Sequence, residues 1–478
     1  VANRSEIAIR VFRAAAELSI RPVAIYAEED RLSLHRFKAD EAYPVSGATP
    51  IGAYLSIDEV IRVAKASGAD AIHPGYGFLS ENPAFAEACA AACILFIGPT
   101  PQTLRDLGNK VSARNMAIAA GVPVMPASEP LPDDPAKIKK LASAIGYPVM
   151  LKASWGGGGR GMRPLENESG VIEAVNLAKR EARAAFGKDE VYFEKLVVRA
   201  RHIEVQLLGD SHGNLVHLFE RDCSIQRRNQ KVIERAPAPV MDPAMRAAMT
   251  EAALKIGRAA NYVNAGTVEF LVDADTNKFY FIEVNPRIQV EHTVTEVVTG
   301  LDIVKAQIRI AEGGHIGNLE ETGIPPQKDI RLDGHAIQCR ITTENPENNF
   351  IPDYGRITAY RGAFGFGIRV DGGTAYSGAG VTRKYDPLLE KITCWAPTPE
   401  EAIARMNRAL REFRISGVAT NLAFLENIIT HPDFINNRYT TRFIDTTPAL
   451  FDIRRRKDRA TKLLTYVADV TVNGHPEV

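Results

Sequence analysis

The chain is poor in cysteine, carries no net charge and contains no long apolar run, and each shortage removes a class of protein. Five cysteines in 478 residues, Cys89, Cys93, Cys223, Cys339 and Cys394, are odd in number and lack zinc-ligand spacing. They read as reduced interior thiols, which favours a cytoplasmic protein over a secreted disulfide scaffold. The 58 basic and 58 acidic residues cancel, so no bulk field recruits nucleic acid or an anionic membrane, and anion handling has to be local. No apolar stretch approaches the ~18 residues of a membrane span. There is no internal repeat, low-complexity tract, signal peptide or transit peptide, although Val1 opens what reads as a clipped strand and leaves room for a processed leader. What is present is ordinary for a soluble globular protein, with 45% hydrophobic and 24% charged residues and length for about three domains.

Residues 1–102 alternate strand and helix. An apolar strand at 22–26, a capping box at Ser56-Ile57-Asp58-Glu59, a helix stop at Gly68 and strands at 69–72 and 94–97 specify a parallel sheet covered by helices. The loop 73–82 lies at a strand's carboxyl end, where open α/β sheets bind ligands, though a plain Pro/Gly turn also accounts for it. A second α/β unit spans 103–332, with a small inserted lobe over 126–199. There the strand 148–153 carries Lys152 and runs into a glycine-rich segment, 154–162, whose bare N–H groups suit phosphates. It is neither a Walker loop nor a GxGxxG pattern; a flexible connector explains the glycines but not the lysine beside them. His202, Glu204 and Gln206 alternate with Ile203, Val205 and Leu207, giving a strand with one polar face. The region 333–447 is mixed. It places His335 and Arg340 on an apolar strand, and Thr398-Pro399-Glu400-Glu401 caps a helix whose Ile403, Met406, Leu410 and Phe413 form a core stripe. Residues 448–478 read as a linker in which Arg454-Arg455-Arg456-Lys457 is a solvated face.

The densest chemistry lies at Glu283-Val284-Asn285-Pro286-Arg287-Ile288-Gln289-Val290-Glu291-His292. Upstream, an apolar strand carries Glu269, a turn-like 273–277 follows, and a second strand ends on Glu283, which predicts a hairpin. Centred near Thr276, it sets Glu269 opposite Glu283 with Asn285 on the same side. Facing carboxylates repel. The expected remedy is a hard divalent cation, because two carboxylates and an amide oxygen form an all-oxygen shell suited to Mg²⁺ or Mn²⁺. A solvated hairpin face remains the alternative for the hairpin alone.

Ala2-Asn3-Arg4, the 73–82 loop, Lys152 with the glycines, the run 220–228, the run 283–292 and Cys339-Arg340-Ile341 come in the order and spacing of one family. On these motifs the chain resembles, over nearly its whole length, the biotin carboxylase component of biotin-dependent carboxylases, a branch of the ATP-grasp superfamily. Its tail, from 441–445 through 460–464 to Val472-Asn473-Gly474, is similar to pyruvate carboxylases where this domain leads into the carboxyltransferase. The resemblance implies an α/β fold, α+β overall: an N-terminal Rossmann-like domain (1–102), an ATP-grasp domain (103–332) with a mobile lid (126–199), a mixed C-terminal domain (333–447) and a linker (448–478). It implies carboxylation of biotin on a carrier domain by ATP and bicarbonate through carboxyphosphate, the first half of converting pyruvate to oxaloacetate. A biotin carboxylase of an acyl-CoA carboxylase is the alternative.

The resemblance also implies roles. Lys110 and Lys152 would neutralise nucleotide phosphates beneath a lid whose Gly157 and Gly158 offer backbone donors. Glu194, Lys195 and Val197 would hold the adenine edge, with His202, Gln226 and Glu269 along the same cleft, and Glu269, Glu283 and Asn285 would hold the metal. Lys231, Arg287, Gln289 and the Val290 amide would bind bicarbonate. Glu291 would take its proton, with a pKa tuned upward by enclosure. Arg340 would stabilise the ureido oxyanion, and Tyr76 and Asp386 would border biotin. In one departure, Asn229 stands where the family commonly has histidine, which removes a cationic contact to nucleotide. There is no Ala-Met-Lys-Met-like biotinyl site, so the expected partners are carrier and carboxyltransferase domains of the same polypeptide. Acetyl-CoA as effector, a homo-oligomer, and a mitochondrial matrix location in a eukaryote are further implications. Two other readings stay open: another ATP-grasp ligase that captures an acyl phosphate with an amine, and a non-catalytic nucleotide-binding module.

Overall fold

The computed structural model describes residues 1–153, 163–186, 189–453 and 459–475. The expected lid glycines, Gly157 and Gly158, and the basic run 454–457 lie outside the described residues. After helix α1 (Ser5–Glu17), strand β1 (Val23–Tyr26) pairs in parallel with β2 (Glu41–Pro44), and β3 (Ala71–Ile72) with β4 (Leu95–Phe96). The expected parallel sheet is therefore two short pairs, stitched together by the first two residues. The Val1 amino group donates to Val23 O at 2.7 Å, and Ala2 N to His73 O at 2.9 Å. Helix α2 (Ile57–Ser67) starts and stops where its caps require: Ser56 accepts from Glu59 N, and Gly68 turns left-handed at φ 65°. One expectation about the thiols fails. Helix α3 (Pro83–Ala91) ends before Cys93, which is exposed at φ 58°, so the alanine-rich helical pattern does not carry it inside, whereas the other four cysteines are buried.

Within the expected lobe, helix α4 (Pro135–Ile145) and helix α5 (Val171–Phe186) pack on a three-stranded antiparallel sheet. Its middle strand is β5 (Val149–Ala153), flanked by β6 (Arg163–Leu165) and β7 (Val191–Lys195). Ile138, Val149, Leu151, Val175 and Phe193 form a core of their own.

The dominant element is an eight-stranded antiparallel sheet. Its strands are β8 (Ala200–Gly209), β9 (Leu215–Arg227), β10 (Gln230–Ala236), β11 (Asn264–Asp273), β12 (Phe279–Asn285), β13 (His335–Thr342), β14 (Ile368–Gly372) and β15 (Leu388–Ala396). They lie in the order β12-β11-β8-β9-β10-β13-β15-β14. The sheet runs unbroken past position 332, so strands from the second and third expected units share it. The period-2 alternation sorts its faces. Ile203, Val205, Leu207, Val268 and Phe270 pack with Met249, Ala253 and Ile256 of helix α6 (Pro243–Ala259). The opposite face carries Glu204, Gln206, Thr267 and Glu269 toward helix α7 (His292–Thr299) and the segment before it. Helix α8 (Pro399–Glu412) begins at Thr398, which accepts from Glu401 N, and buries Ala402, Met406, Ala409 and Leu410 against the sheet. Helix α9 (Arg459–Asn473) leaves Leu463, Leu464 and Val467 exposed. Among the described residues no helix is long and apolar enough to cross a membrane.

Burial, reinforced by the neighbouring Arg235 guanidinium, lowers His335 to about 3. Its Nε2 accepts from Arg235 Nε at 3.0 Å. A histidine lowered in the folded state stabilises above its unfolded value of about 6.5, and that contribution is lost as pH falls from there. His335→Gln, which keeps an acceptor, is therefore expected to shrink the loss of unfolding free energy between pH 7 and pH 5 by about 2 kcal/mol in urea titrations; an unchanged pH dependence would contradict the assignment.

Candidate active site

The sheet sets three carboxylates in one cross-strand row. Glu283 pairs with Glu269 across β12 and β11, Glu269 with Glu204 across β11 and β8, and Glu204 with Arg221 across β8 and β9. The first pairing is the one the spacing predicts. A bulge between Glu269 and Phe270 shifts the hairpin tip by one residue, moving its centre off Thr276. The repulsion is relieved by the protein's own cations. Lys110 Nζ lies 2.9 Å from Glu283 Oε2, Lys231 Nζ 2.8 Å from Glu269 Oε1, and His202 Nε2 3.1 Å from Glu269 Oε2. Asn285 Nδ2 donates to Glu269 Oε1 at 2.9 Å, and its Oδ1 accepts from Arg287 Nη2 at 3.0 Å. Glu269, Glu283 and Asn285 thus line one cleft, and their two carboxylates and amide are a donor set that fits a hard divalent ion, although Asn285 turns its nitrogen to Glu269 and its oxygen to Arg287.

Lys231 sits at the centre of the charges. The β9–β10 hairpin turns through Arg228 and Asn229, at φ 48° and 63°, a left-handed pair that asparagine tolerates well; this gives Asn229 a local reason. Two residues on, the Lys231 ammonium reaches Glu204 at 2.5 Å, Glu291 at 2.7 Å and Glu269 at 2.8 Å. Arg340, on β13, donates to Glu234 Oε1 at 2.6 Å and Glu291 Oε2 at 3.0 Å, while Gln338 holds the other Glu234 oxygen at 2.8 Å. Beneath lies Arg221, fully buried. It donates to Glu204 (2.6 Å), Gln206 (2.7 Å), Thr295 (3.0 Å), Thr267 (3.1 Å) and Gln289 (3.2 Å), using all five guanidinium N–H groups. Four carboxylates, Glu204, Glu234, Glu269 and Glu291, therefore face Lys231, Arg340, Arg221 and His202. Burial alone would lower His202, but Glu269, with Glu204, raises the imidazole on balance above its ordinary value.

Glu291 corrects an expectation. Burial does push its pKa upward, but Lys231, Arg340 and Arg221 together outweigh burial and hold the carboxyl well below the usual carboxylate range. Enclosure here brings cations with it, so the net direction is the reverse of the one expected from burial.

One cavity of about 970 Å³ is lined by every expected site residue that falls among those described: Tyr76, Lys110, Lys152, Glu194, Lys195, Val197, His202, Gln226, Lys231, Glu269, Glu283, Asn285, Arg287, Gln289, Val290, Glu291, Arg340 and Asp386. Lys152 is ion-paired with Glu194. Lys195 turns instead to the Gly146 and Tyr147 carbonyls at 2.7 and 3.0 Å. Gln226 donates to Cys223 O at 2.9 Å, and Gln289 to Glu269 at 3.1 Å. Arg287 Nε meets Glu81 at 2.5 Å, and Asp386 accepts from Leu388 N at 2.8 Å. Tyr76 rides on a loop pinned by Asn3 Nδ2, which donates to Pro74 O and Tyr76 O at 2.8 Å each. Gly75 is at φ +65°, where a Cβ would come within 2.8 Å of Asn3 Nδ2. The sequence reading gave no role to Glu204, Glu234, Arg221 or Glu81; the alternating polar face already contained Glu204, whereas the other three owe their place to long-range contacts.

Removing one partner of a buried pair leaves the other charge stranded, at about 3–5 kcal/mol. Arg221→Met is expected to lower the urea-derived unfolding free energy by about that amount, and a loss below about 1 kcal/mol would mean Glu204 is not held by it.

Comparison with known proteins follows the same lines. Family models match at residues 1–104 (biotin carboxylase, N-terminal domain), 109–319 (carbamoyl-phosphate synthase L chain, ATP binding domain) and 338–446 (biotin carboxylase C-terminal domain). The chain is 55% identical to pyruvate carboxylase of Bacillus subtilis over all of its own length but only 42% of that relative. It thus spans about two fifths of the curated pyruvate carboxylases it matches. The structure of Rhizobium etli pyruvate carboxylase with acetyl coenzyme A aligns at TM-score 0.90 and 71% identity, over 100% of this chain and 42% of that one. The biotin carboxylase domain of Hydrogenobacter thermophilus 2-oxoglutarate carboxylase, in complex with MgADP, ADP and bicarbonate, aligns at TM-score 0.88 and 44% identity, over 95% of this chain and 98% of that one. With that domain matched along nearly its whole length, and with the acid–base cleft built on the same fold, the chain belongs to the biotin carboxylase family of ATP-grasp proteins.

Proposed function

We propose that this chain uses ATP and bicarbonate to carboxylate biotin on a carrier domain, the first half of pyruvate carboxylation. The observation that carries this reading is Glu291 clamped between Lys231 and Arg340 in a cleft lined with cations. Both cations suit oxyanions as well as they suit a carboxylate, so substrate can replace Glu291 as their partner. Divalent ions, which Glu269, Glu283 and Asn285 would hold, supply charge neutralisation for the triphosphate. Lys110 and Lys152 add point charges to the phosphates, and Glu194, Lys195 and Val197 border the adenine end, with His202 and Gln226 between. Gly157 and Gly158 would close over the phosphates.

Bicarbonate would lie against Lys231, Arg287, Gln289 and the Val290 amide. Glu291 takes its proton as a bicarbonate oxygen attacks the γ-phosphorus and the bond to ADP breaks. As Lys231 and Arg340 turn from Glu291 to the substrate oxyanions, the carboxylate loses what depresses it and becomes a stronger base. Carboxyphosphate then yields carbon dioxide and phosphate. The phosphate removes the ureido proton, the nitrogen attacks carbon dioxide, and Arg340 stabilises the ureido oxyanion, with Tyr76 and Asp386 beside the ring. The proposed acceptor is pyruvate, in line with the pyruvate carboxylases among its relatives. Carrier and carboxyltransferase domains of the same polypeptide, a homo-oligomer, acetyl-CoA as effector, and the cytoplasm or a mitochondrial matrix belong to the same reading.

ATP cleavage is expected to require bicarbonate and to rise with free biotin. Bicarbonate-independent cleavage would favour an amine-capturing ATP-grasp ligase, and nucleotide binding without turnover a non-catalytic module. Glu291→Gln and Arg340→Gln are each expected to lower biotin-dependent kcat by about 100-fold or more while leaving ADP affinity near the parent's; near-parent rates would overturn the role. Asn229→His is expected to lower the KM for ATP modestly, and an unchanged KM would remove position 229 from the nucleotide site.

A further inference from the structure

The side chain of Lys391 is fully buried, and it is not among the residues lining the cavity. It lies on β15 directly opposite Arg340 on β13, and opposite Asp371 on β14. Its ammonium donates to Val290 O at 2.7 Å, lies 3.1 Å from Glu6 Oε2 on α1, and sits 5.8 Å from the centre of the Tyr76 ring. The other Glu6 oxygen accepts the Tyr76 hydroxyl. An ammonium removed from water is costly unless it is paired and hydrogen-bonded. Four segments that are far apart in the chain are therefore tied by one contact set: α1, the Tyr76 loop, the Val290 turn and β15.

The consequence is geometric. The Val290 carbonyl belongs to the peptide that leads into Glu291, so fixing its direction fixes the backbone from which the base projects. Glu6 meanwhile holds the hydroxyl of the residue bordering the opposite wall. We propose that the buried Lys391–Glu6 pair is a positioning unit that sets Glu291 and Tyr76 against each other, so that proton abstraction and biotin docking share one support. This rests on the functional reading above. A buried ion pair is weak evidence for stability, and hydrophobic replacements are often tolerated; its specific use here is register between two walls. Lys391 does not line the cavity, whereas Val290 and Glu6 do, so it acts through them.

The test uses the full-length protein, free biotin as acceptor, and the double variant Lys391→Met with Glu6→Gln, which removes both charges together. It is expected to fold and to bind ADP as the parent does. The bicarbonate-dependent cleavage of ATP without biotin should fall about 10-fold or more, and the KM for biotin should rise by a similar factor, since a displacement near 1 Å costs rates on that order. Lys391→Arg, which keeps the charge, should recover part of both. Independently of activity, amide hydrogen exchange should speed up together at 289–292 and at 74–77 while β8 stays protected. If only one segment loosens, or neither, or if both kinetic parameters stay at parent values in the folded double variant, the proposal is wrong. A parent lacking bicarbonate-dependent cleavage would sink the functional reading instead, and the exchange result would then decide the role of the pair alone.

Discussion

An ammonium group surrounded by three carboxylates fixes the geometry on which everything else here depends. Lys231 is held by Glu204, Glu269 and Glu291 in a site largely withdrawn from water. None of those carboxylates is tolerable there on one lysine alone, so each has a second cation: Arg221 on Glu204, His202 on Glu269, Arg340 on Glu291. Because all of these groups except Glu291, which sits at the N-cap of α7, come from five strands of one sheet, the charge balance and the strand order constrain each other. Removing a charge would strand its partner in a low-dielectric site, which is far more costly than losing a surface pair.

On the proposed function, the same arrangement would let a closed set of ion pairs accept an anionic substrate. Lys231, Arg287 and Arg340 are each satisfied by carboxylates of the protein, namely Glu204, Glu269 and Glu291 for Lys231, Glu81 for Arg287, and Glu234 and Glu291 for Arg340; of these, Glu269 and Glu291 line the cavity. An incoming oxyanion can take the place of a carboxylate oxygen without any cation having to be created or moved far, so reorganisation is small. Arg340 keeps Glu234 as a partner when Glu291 is released, which preserves its aim. In the proposed reaction Glu291 is the member whose properties would change most, from a carboxyl held at a depressed pKa to a freed base.

Much of the cleft was legible in the sequence because its signals are local. The Glu269–Glu283 register follows from the symmetry of a hairpin, and the polar face of β8 from an alternation of period 2. The helix caps at Ser56 and Thr398 follow from side chains placed three residues before a free amide. What was not legible depends on contacts that sequence spacing does not encode. The bulge beyond Glu269, the role of Arg221 beneath five partners and the pairing of Arg287 with Glu81 all arise from tertiary packing. The acidity of Glu291 was misjudged in direction because burial was weighed without the three cations that accompany it. Cys93 was placed inside on helical spacing, although the helix ends before it. The continuity of the sheet past position 332 was hidden because β13 pairs with β10, a strand more than a hundred positions earlier at Ile233–Cys339.

The most direct measurement follows oxygen from bicarbonate. With ¹⁸O-labelled bicarbonate, ATP and free biotin in unlabelled water, attack of a bicarbonate oxygen on the γ-phosphorus requires that inorganic phosphate released in a single turnover carry one labelled oxygen. Unlabelled phosphate would mean that water is the nucleophile, and that Glu291 between Lys231 and Arg340 does not serve to activate bicarbonate.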